Sequence, residues 1–483
     1  MENKALDDYF GYTEAGSSLD GELRAGVTTF LTMAYILVVN PDMLSLSFAP
    51  GVGIPFNQAL FATAMAAFVG CTIMGLWANQ PYALAPGMGL NAYFAFTVVL
   101  SQGIAWELAL AAVLVEGVLF LIISLPQVGW RSQMINAIPK DLKIATMAGI
   151  GLFLAHIGLQ EMGWVIDGAT LVDIGAHGTW THQSGELWAM VGLLAIGIMM
   201  ARGMKGAIIY GVGGITAIAW LMNAMGMPVV DAYNVTEFNT AEVAAPALSE
   251  IFSTDGFDTG AFGAALGALG DINGDTIGAF ILVMVTFLFV DIFDTAGTLY
   301  GVGKMAGKVD EDDNIENADE AFMADAGATI VGALCGTSTT TTYIESAAGI
   351  EEGGKTGLVA IVVGVLMLMG LFLSGLLQAI PTFAVAPALV VVGAMMMRGA
   401  ADIDWSDKEM AIPAFITIVM MPLTYSIADG IAWGVIAYVL MKLGTGKMDQ
   451  INKIMGTICV LMIMFYLGPG QETTFEWIVN TIF

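Results

Sequence analysis

Of the 483 residues, 57% are hydrophobic and only 12% charged, with 59 Gly and 32 Met. A water-soluble domain carries about a quarter of its residues as charges. The chain is therefore read as a polytopic membrane protein whose apolar helices pack closely on small residues. Asp and Glu outnumber Lys and Arg by 43 to 15, for a net charge of −28. That excludes nucleic acid as a partner, because phosphate binding needs clustered cations. Acidic, lysine-poor surfaces stay hydrated in concentrated salt, which predicts a halophilic prokaryotic source. Cys71, Cys335 and Cys459 stand singly inside apolar segments, so they predict small core side chains, with no disulfide framework, metal site or cofactor.

The start, Met1 to Gly16, is polar and acidic, without the basic and apolar regions of a cleaved signal, and residues 1–24 are expected to be cytoplasmic. Apolar runs of spanning length follow near 25–46, 57–79, 82–100, 106–125, 141–160, 186–201 and 206–226. A polar stretch, 227–275, interrupts. A second group lies near 276–303, 321–336, 338–353, 356–375, 382–398, 409–426 and 429–443, within 276–445. The tail, 446–483, holds one more apolar run at 453–468, which the pattern leaves as either a span or a surface helix. With the N-terminus inside, Lys4, Arg24, Arg131, Lys140, Lys143, Arg202, Lys205, Lys304, Lys308, Lys355, Arg398, Lys408, Lys442, Lys447 and Lys453 all fall on the cytoplasmic side. That is what the positive-inside rule asks, and it sets 227–275 outside the cell.

Seven spans are odd in number, so the second group of seven starts from the opposite face. The result is a fourteen-span, all-α inverted repeat, a plan used by secondary transporters, which bind substrate at the midplane where matching helices are broken. The third span of each group fits. One reads Pro81-Tyr82-Ala83-Leu84-Ala85-Pro86-Gly87-Met88-Gly89-Leu90-Asn91, and the other Gly336-Thr337-Ser338-Thr339-Thr340-Thr341-Thr342-Tyr343-Ile344-Glu345-Ser346. Prolines and glycines disrupt the first and a threonine run weakens the second, which predicts short extended segments in both. Such backbone is tolerable in a membrane only where it is buried in protein or lines a cavity.

Ionisable groups inside spans are costly and point to function. Asp291 and Asp294 lie in the eighth span at i, i+3, which places them on one helical face. Glu345 lies in the broken tenth span and Asn91 in the broken third. A planar heterocycle offers N–H donors and ring acceptors along its edge, which carboxylates, Asn91 and freed backbone groups can match. A carboxylate in a poorly solvated cavity can also exchange a proton near neutrality, which would couple transport to the proton gradient. His156 is expected to be a packed side chain, while His177 and His182 fall in an outside loop.

Two motifs mislead. Gly349-Ile350-Glu351-Glu352-Gly353-Gly354-Lys355-Thr356 matches the phosphate-loop pattern, but it links two membrane spans and carries two acids that would repel phosphate. Asp310-Glu311-Asp312-Asp313-Asn314-Ile315 lacks the glycine of a calcium loop and reads as a solvated acidic loop.

Four segments carry a family resemblance: Gly21-Glu22-Leu23-Arg24-Ala25-Gly26 leading into Thr28-Thr29-Phe30-Leu31-Thr32-Met33-Ala34-Tyr35; Ala85-Pro86-Gly87-Met88-Gly89-Leu90-Asn91-Ala92; Asp294-Thr295-Ala296-Gly297-Thr298-Leu299; and Thr341-Thr342-Tyr343-Ile344-Glu345-Ser346-Ala347-Ala348-Gly349. Over about residues 20–445 the chain resembles the AzgA-like purine permeases of the nucleobase–ascorbate transporter superfamily. The resemblance implies a core domain (approximately 25–125 and 276–375) and a gate domain (approximately 141–226 and 382–443), often in a homodimer. It implies import of hypoxanthine, adenine or guanine into the cell by proton symport across the cell membrane. It places the base against Asn91, Glu345, the Asp291/Asp294 pair and the backbone around Gly89 and Tyr343, without deciding which aspartate makes the contact. The proton would reside on Glu345, Asp291 or Asp294.

Alternatives of the same fold are a uracil or xanthine carrier, one coupled to sodium, or an inorganic-anion carrier. The last requires a cation in the site, and no Lys or Arg lies in the broken segments. An embedded enzyme has no metal set or nucleophile–base arrangement behind it.

The acidic surface predicts that the purified protein holds its fold and activity better in about 3 M salt than in about 0.1 M, where its like charges are poorly screened. Equal thermal midpoints and transport rates under the two conditions would contradict this.

Overall fold

The computed structural model describes residues 4–46, 49, 51–125, 127, 138–168, 171–175, 180–227, 229, 245, 246, 248–274, 276–310 and 315–467. Arg131, His177, the acidic-loop positions 311–314, most of the polar stretch from 228 to 247, and the tail 468–483 lie outside these residues.

The first group of elements is α1 (Leu19–Met33), α2 (Ile36–Ser45), α3 (Phe56–Ile73), β1 (Leu84–Pro86), α4 (Met88–Ala92), α5 (Trp106–Ser124), α6 (Lys140–Glu161), β2 (Val165–Gly168), β3 (Leu171–Ile174), α7 (Gly185–Ala201) and α8 (Ala207–Ala224). Helix α4 runs on as a π-wound segment, Tyr93–Ser101. The second group is α9 (Ile277–Ala306), α10 (Ala318–Cys335), β4 (Thr340–Thr342), α11 (Ser346–Glu351), α12 (Leu358–Met369), α13 (Thr382–Met397), α14 (Lys408–Thr424) and α15 (Ile427–Gly444), with α16 (Lys453–Tyr466) after it. Most helices are apolar all round rather than on one stripe, as helices between lipid and a buried bundle must be. Eight described helical stretches are long and apolar enough to cross a bilayer, among them Leu19–Ser45, Ile277–Ala306 and Thr382–Asp402, and further apolar helices are shorter. This is a helical, polytopic membrane protein.

Local sequence explains the boundaries. Ser18 caps α1, its hydroxyl accepting from Gly21 N at 3.1 Å. Gly336 ends α10 at φ +107°, a conformation that other side chains rarely adopt. Proline is tolerated inside α2, α13 and α14 because neighbouring groups in a bundle re-satisfy the freed carbonyls.

Helices α1, α3, α5, α9, α10 and α12 pack on one another, and α6, α7, α8, α13, α14 and α15 form a second packed set. The two sets meet where α6 lies against α9 and α4. Between them run the extended segments expected in the two broken spans. Strand β1 pairs antiparallel with β4, Leu84 opposite Thr342, Ala85 opposite Thr341 and Pro86 opposite Thr340, all buried. The all-α expectation needs one addition: Val165–Gly168 pairs with Leu171–Ile174 in a hairpin outside the two packed sets. Its alternating Val, Ile and Asp residues carry a strand signal too short to separate from a loop beforehand.

The phosphate-loop look-alike also acquires a definite form. The Glu22 carboxylate, fully buried, accepts from Lys355 N (2.9 Å), Thr356 N (3.1 Å) and Thr356 Oγ1 (2.7 Å). A protein carboxylate thus occupies the place a phosphate takes in a true phosphate loop, and it ties α1 to the chain that enters α12. Replacing Glu22 with Ala should cost about 2–4 kcal/mol by leaving buried donors unpaired. The check is a thermal melt in detergent; an unchanged midpoint would show that water replaces the carboxylate.

Candidate functional site

A small cavity opens between the two helix sets. One wall consists of Tyr35, Gly87–Gly89, Asp294, Thr298 and Thr341–Glu345; Ile150 and Leu154 of α6 and Val392 and Met396 of α13 form the other. Its volume is about 40 Å³, room for a water or two. Any larger occupant therefore requires the apolar wall to withdraw. Beyond Ile344, which lines both spaces, lies a vestibule of about 890 Å³ whose walls carry Lys140, Lys143, Lys304 and Arg398 beside Glu351 and Asp402.

The backbone of the broken segments is fully engaged. Gly87 N donates to Thr339 O and Tyr343 N to Ala83 O, each at 2.9 Å. Ala83 N donates to Ser346 Oγ at 2.9 Å, and Leu84 N reaches Cys71 Sγ at 3.1 Å. Cys71 is thus a core side chain with a backbone to hold. Pro86, which has no N–H, offers its carbonyl to the Tyr343 hydroxyl. The result aims two helix starts at the cavity: α4 begins after Gly87, and α11 begins after Glu345. The first N–H groups of a helix carry partial positive charge; at α11 those of Ser346, Ala347 and Ala348 already donate to Tyr343 O, Ile344 O and Glu345 O, which leaves the start of α4 to face the cavity.

Of the residues singled out from sequence, Gly89, Asp294, Tyr343 and Glu345 line this cavity. Glu345 is 2% exposed and accepts from the Tyr35 hydroxyl at 2.7 Å. Asp294 is 6% exposed, and its Oδ1 has no hydrogen-bond partner. Asn91 and Asp291 are not in the wall. Asn91 accepts from the Ser338 hydroxyl, joining the two broken spans behind it. Asp291 lies a turn before Asp294, and the roughly 60° between i and i+3 side chains is enough to turn it away from the cavity. Its Oδ1 accepts from Thr295 Oγ1 at 3.3 Å, in a pocket shared with Glu116 and Asp325. The sequence reading passed over Tyr35, Glu116 and Asp325. The rule that drew attention to Asp291 would have found the latter two, since both stand in apolar spans. His156 packs edge-on to the Tyr425 ring, with centroids 6.1 Å apart, as a packed histidine does.

The sequence pattern of the Permease family (Xan_ur_permease) matches residues 21–433. The chain is 39% identical over 467 residues to the guanine/hypoxanthine permease PbuG of Bacillus subtilis (strain 168), covering 96% of this chain and 99% of that one. It is 35% identical over 464 residues to the adenine permease AdeP of Escherichia coli (strain K12), covering 95% of each. Among solved structures, the transmembrane domain of the cyanobacterial bicarbonate transporter BicA superimposes with a TM-score of 0.57 at 14% identity, covering 87% of this chain and 97% of that domain. That last likeness is one of fold.

The closeness of the two walls gives a direct test. A Cβ on Gly89 would lie 2.6 Å from Ile150 Cγ2. Gly89→Ala should slow transport about tenfold or more, and a second change, Ile150→Ala, should restore most of the rate. A Gly89→Ala protein that transports normally would show that the walls never come this close during the cycle.

Proposed function

The chain belongs to this permease family, and we propose that it is a secondary active transporter importing purine nucleobases (hypoxanthine, adenine and guanine) by proton symport. The observation that carries the reading is the cavity at the β1–β4 crossing. There two carboxylates and the start of α4 converge, and among the described residues no Lys or Arg lines the space. Purine bases present N–H donors on one edge and ring nitrogens on another, and the same cavity offers acceptors and donors in that arrangement. The names of the relatives support the same substrate class.

The same footing extends to architecture. Both groups of elements follow one order: helices, then a strand leading into a short helix, then further helices. This supports fourteen spans in a seven-plus-seven inverted repeat. The two packed sets support a core domain (25–125 and 276–375) and a gate domain (141–226 and 382–443). In this reading the N-terminus is cytoplasmic, the Lys- and Arg-lined vestibule faces the cytoplasm, and the gate closes on the base by moving α6 and α13 against the core. Asp294 and Glu345 hold the base, with Gly89 and Tyr343 supplying backbone; Asn91 and Asp291 support them from behind. The protein works in the cell membrane, in high salt, as a homodimer.

Uptake of labelled hypoxanthine, adenine and guanine into proteoliposomes, under a pH gradient acidic outside, tests the reading. Accumulation should collapse with an uncoupler. Glu345→Gln should reduce accumulation to equilibration at best, because it removes the charge that orders the Tyr35 hydroxyl and the base. Accumulation of uracil or xanthine in preference to hypoxanthine, adenine and guanine, or dependence on sodium rather than pH, would overturn the assignment.

A further inference from the structure

Glu116, in the middle of α5, is 0% exposed, and neither of its carboxylate oxygens meets a hydrogen-bond donor. It faces Asp291 of α9, which is equally buried and whose Oδ2 also lacks a donor. The hydrogens that reach the cluster come from the hydroxyls of Thr295, Thr341 and Thr342 and from the Thr342 N–H. Thr295 Oγ1 lies 3.3 Å from Asp291 Oδ1, 2.8 Å from Asp325 Oδ2 and 3.1 Å from Thr341 Oγ1. Thr342 Oγ1 lies 3.4 Å from Asp325 Oδ1. A hydroxyl has one hydrogen to give, so Thr295 cannot donate to all three of its neighbours at once. The cluster is short of protons.

Nothing basic makes up the difference. The charged groups bearing on Glu116 are Asp291 and Asp325; those on Asp291 are Glu116, Asp325 and Asp294; Asp294 also bears on Asp325. No Lys or Arg stands in α3, α5, α10 or the stretch Met88–Ser101, and Lys140 and Lys143 of α6, which also packs on α9, line the vestibule beside Gly297. On α9 the first cation after Asp291 is Lys304, about 20 Å along the helix axis. Among the described residues, no group of three or more His, Cys, Asp or Glu side chains is arranged to hold a metal ion. Carboxylates this close, buried and without a counter-ion, cannot all be ionised.

We infer that Glu116 and Asp291 share a proton behind the base cavity, one carboxyl donating O–H···O to the other. Thr295 connects this pair to Thr341, which lines the cavity. The pair is thus placed to hold the coupling proton while Asp294 and Glu345 face the base. The role in coupling rests on the import reading above; the shared proton does not.

Two measurements on the full chain separate these statements. Infrared spectra of the purified wild-type protein at neutral pH should contain a protonated-carboxyl carbonyl band that shifts in D₂O, and Glu116→Gln should remove a component of it. Absence of such a band, or a band that Glu116→Gln leaves unchanged, overturns the shared proton whatever the protein transports. In proteoliposomes, Glu116→Gln should bind and exchange bases within about twofold of wild type yet lose accumulation driven by the pH gradient. Retained accumulation, or joint loss of binding and exchange, overturns the coupling role. Glu116→Asp keeps the acid and should retain both band and coupling, which guards against a folding defect in the amide variant. A wild-type protein that binds no purine base would end the import reading and leave the infrared result standing.

Discussion

Extended backbone inside a bilayer must find every hydrogen bond within the protein, and the β1–β4 crossing is where this chain meets that requirement. Three residues from each broken span pair with one another. The peptide groups on either side are then engaged by Thr339 O, Ala83 O, Ser346 Oγ and Cys71 Sγ. An unmade bond at this depth would cost several kcal/mol, so the crossing forms as a unit. Because each strand ends in the middle of the protein, each following helix must start there, and helix starts are places where donors point outward. The site is a by-product of satisfying the backbone.

The polar side chains divide into two layers around this crossing. Facing Ile150, Leu154, Val392 and Met396 across the cavity are Asp294 and Glu345, the latter oriented by the Tyr35 hydroxyl. Behind it are Asn91 with Ser338, and Asp291 with Thr295 and Asp325. The threonine run that weakens a helix at 337–342 also supplies the hydroxyls that reach the rear layer. Thr329 shows the same economy, donating to Thr340 O at 3.0 Å and accepting from Thr340 N at 3.1 Å. Substituting apolar β-branched residues for this run would keep the strand but remove the Thr342 hydroxyl from Asp325 and the Ser338 hydroxyl from Asn91.

How much of this was legible in the sequence follows from which signals are local. Proline, glycine and threonine act on their own backbone, so the extended segments at 84–86 and 340–342 could be read directly. Intramembrane acids are rare enough to announce themselves, which singled out Asp291, Asp294 and Glu345, and the same signal was present at Glu116 and Asp325. The face each acid takes was not legible. The i, i+3 spacing puts Asp291 and Asp294 near each other, but the cavity edge falls between them, and only the packing of α5, α6 and β4 on α9 decides that. Tyr35 was hidden for a similar reason: its hydroxyl meets Glu345 across more than three hundred positions of chain. The Glu22 contact with residues 355 and 356 spans the same kind of distance. Within this complete phosphate-loop pattern the Lys355 and Thr356 donors are already taken by a carboxylate.

The fold alone does not choose a ligand, since the likeness to a bicarbonate transporter's membrane domain comes at 14% identity. In the proposed reading the charge in the cavity chooses. An anion brought against Asp294 and Glu345 in a poorly solvated space would meet repulsion, since among the described residues no Lys or Arg lines the cavity and the nearest basic lining belongs to the vestibule. A neutral base meets the opposite situation, because its N–H groups supply hydrogens to carboxylate oxygens that otherwise lack them, as Asp294 Oδ1 does. On the proposed assignment, selection for a neutral donor-bearing ring over an anion comes from a local shortage of protons, which the substrate would relieve by arriving.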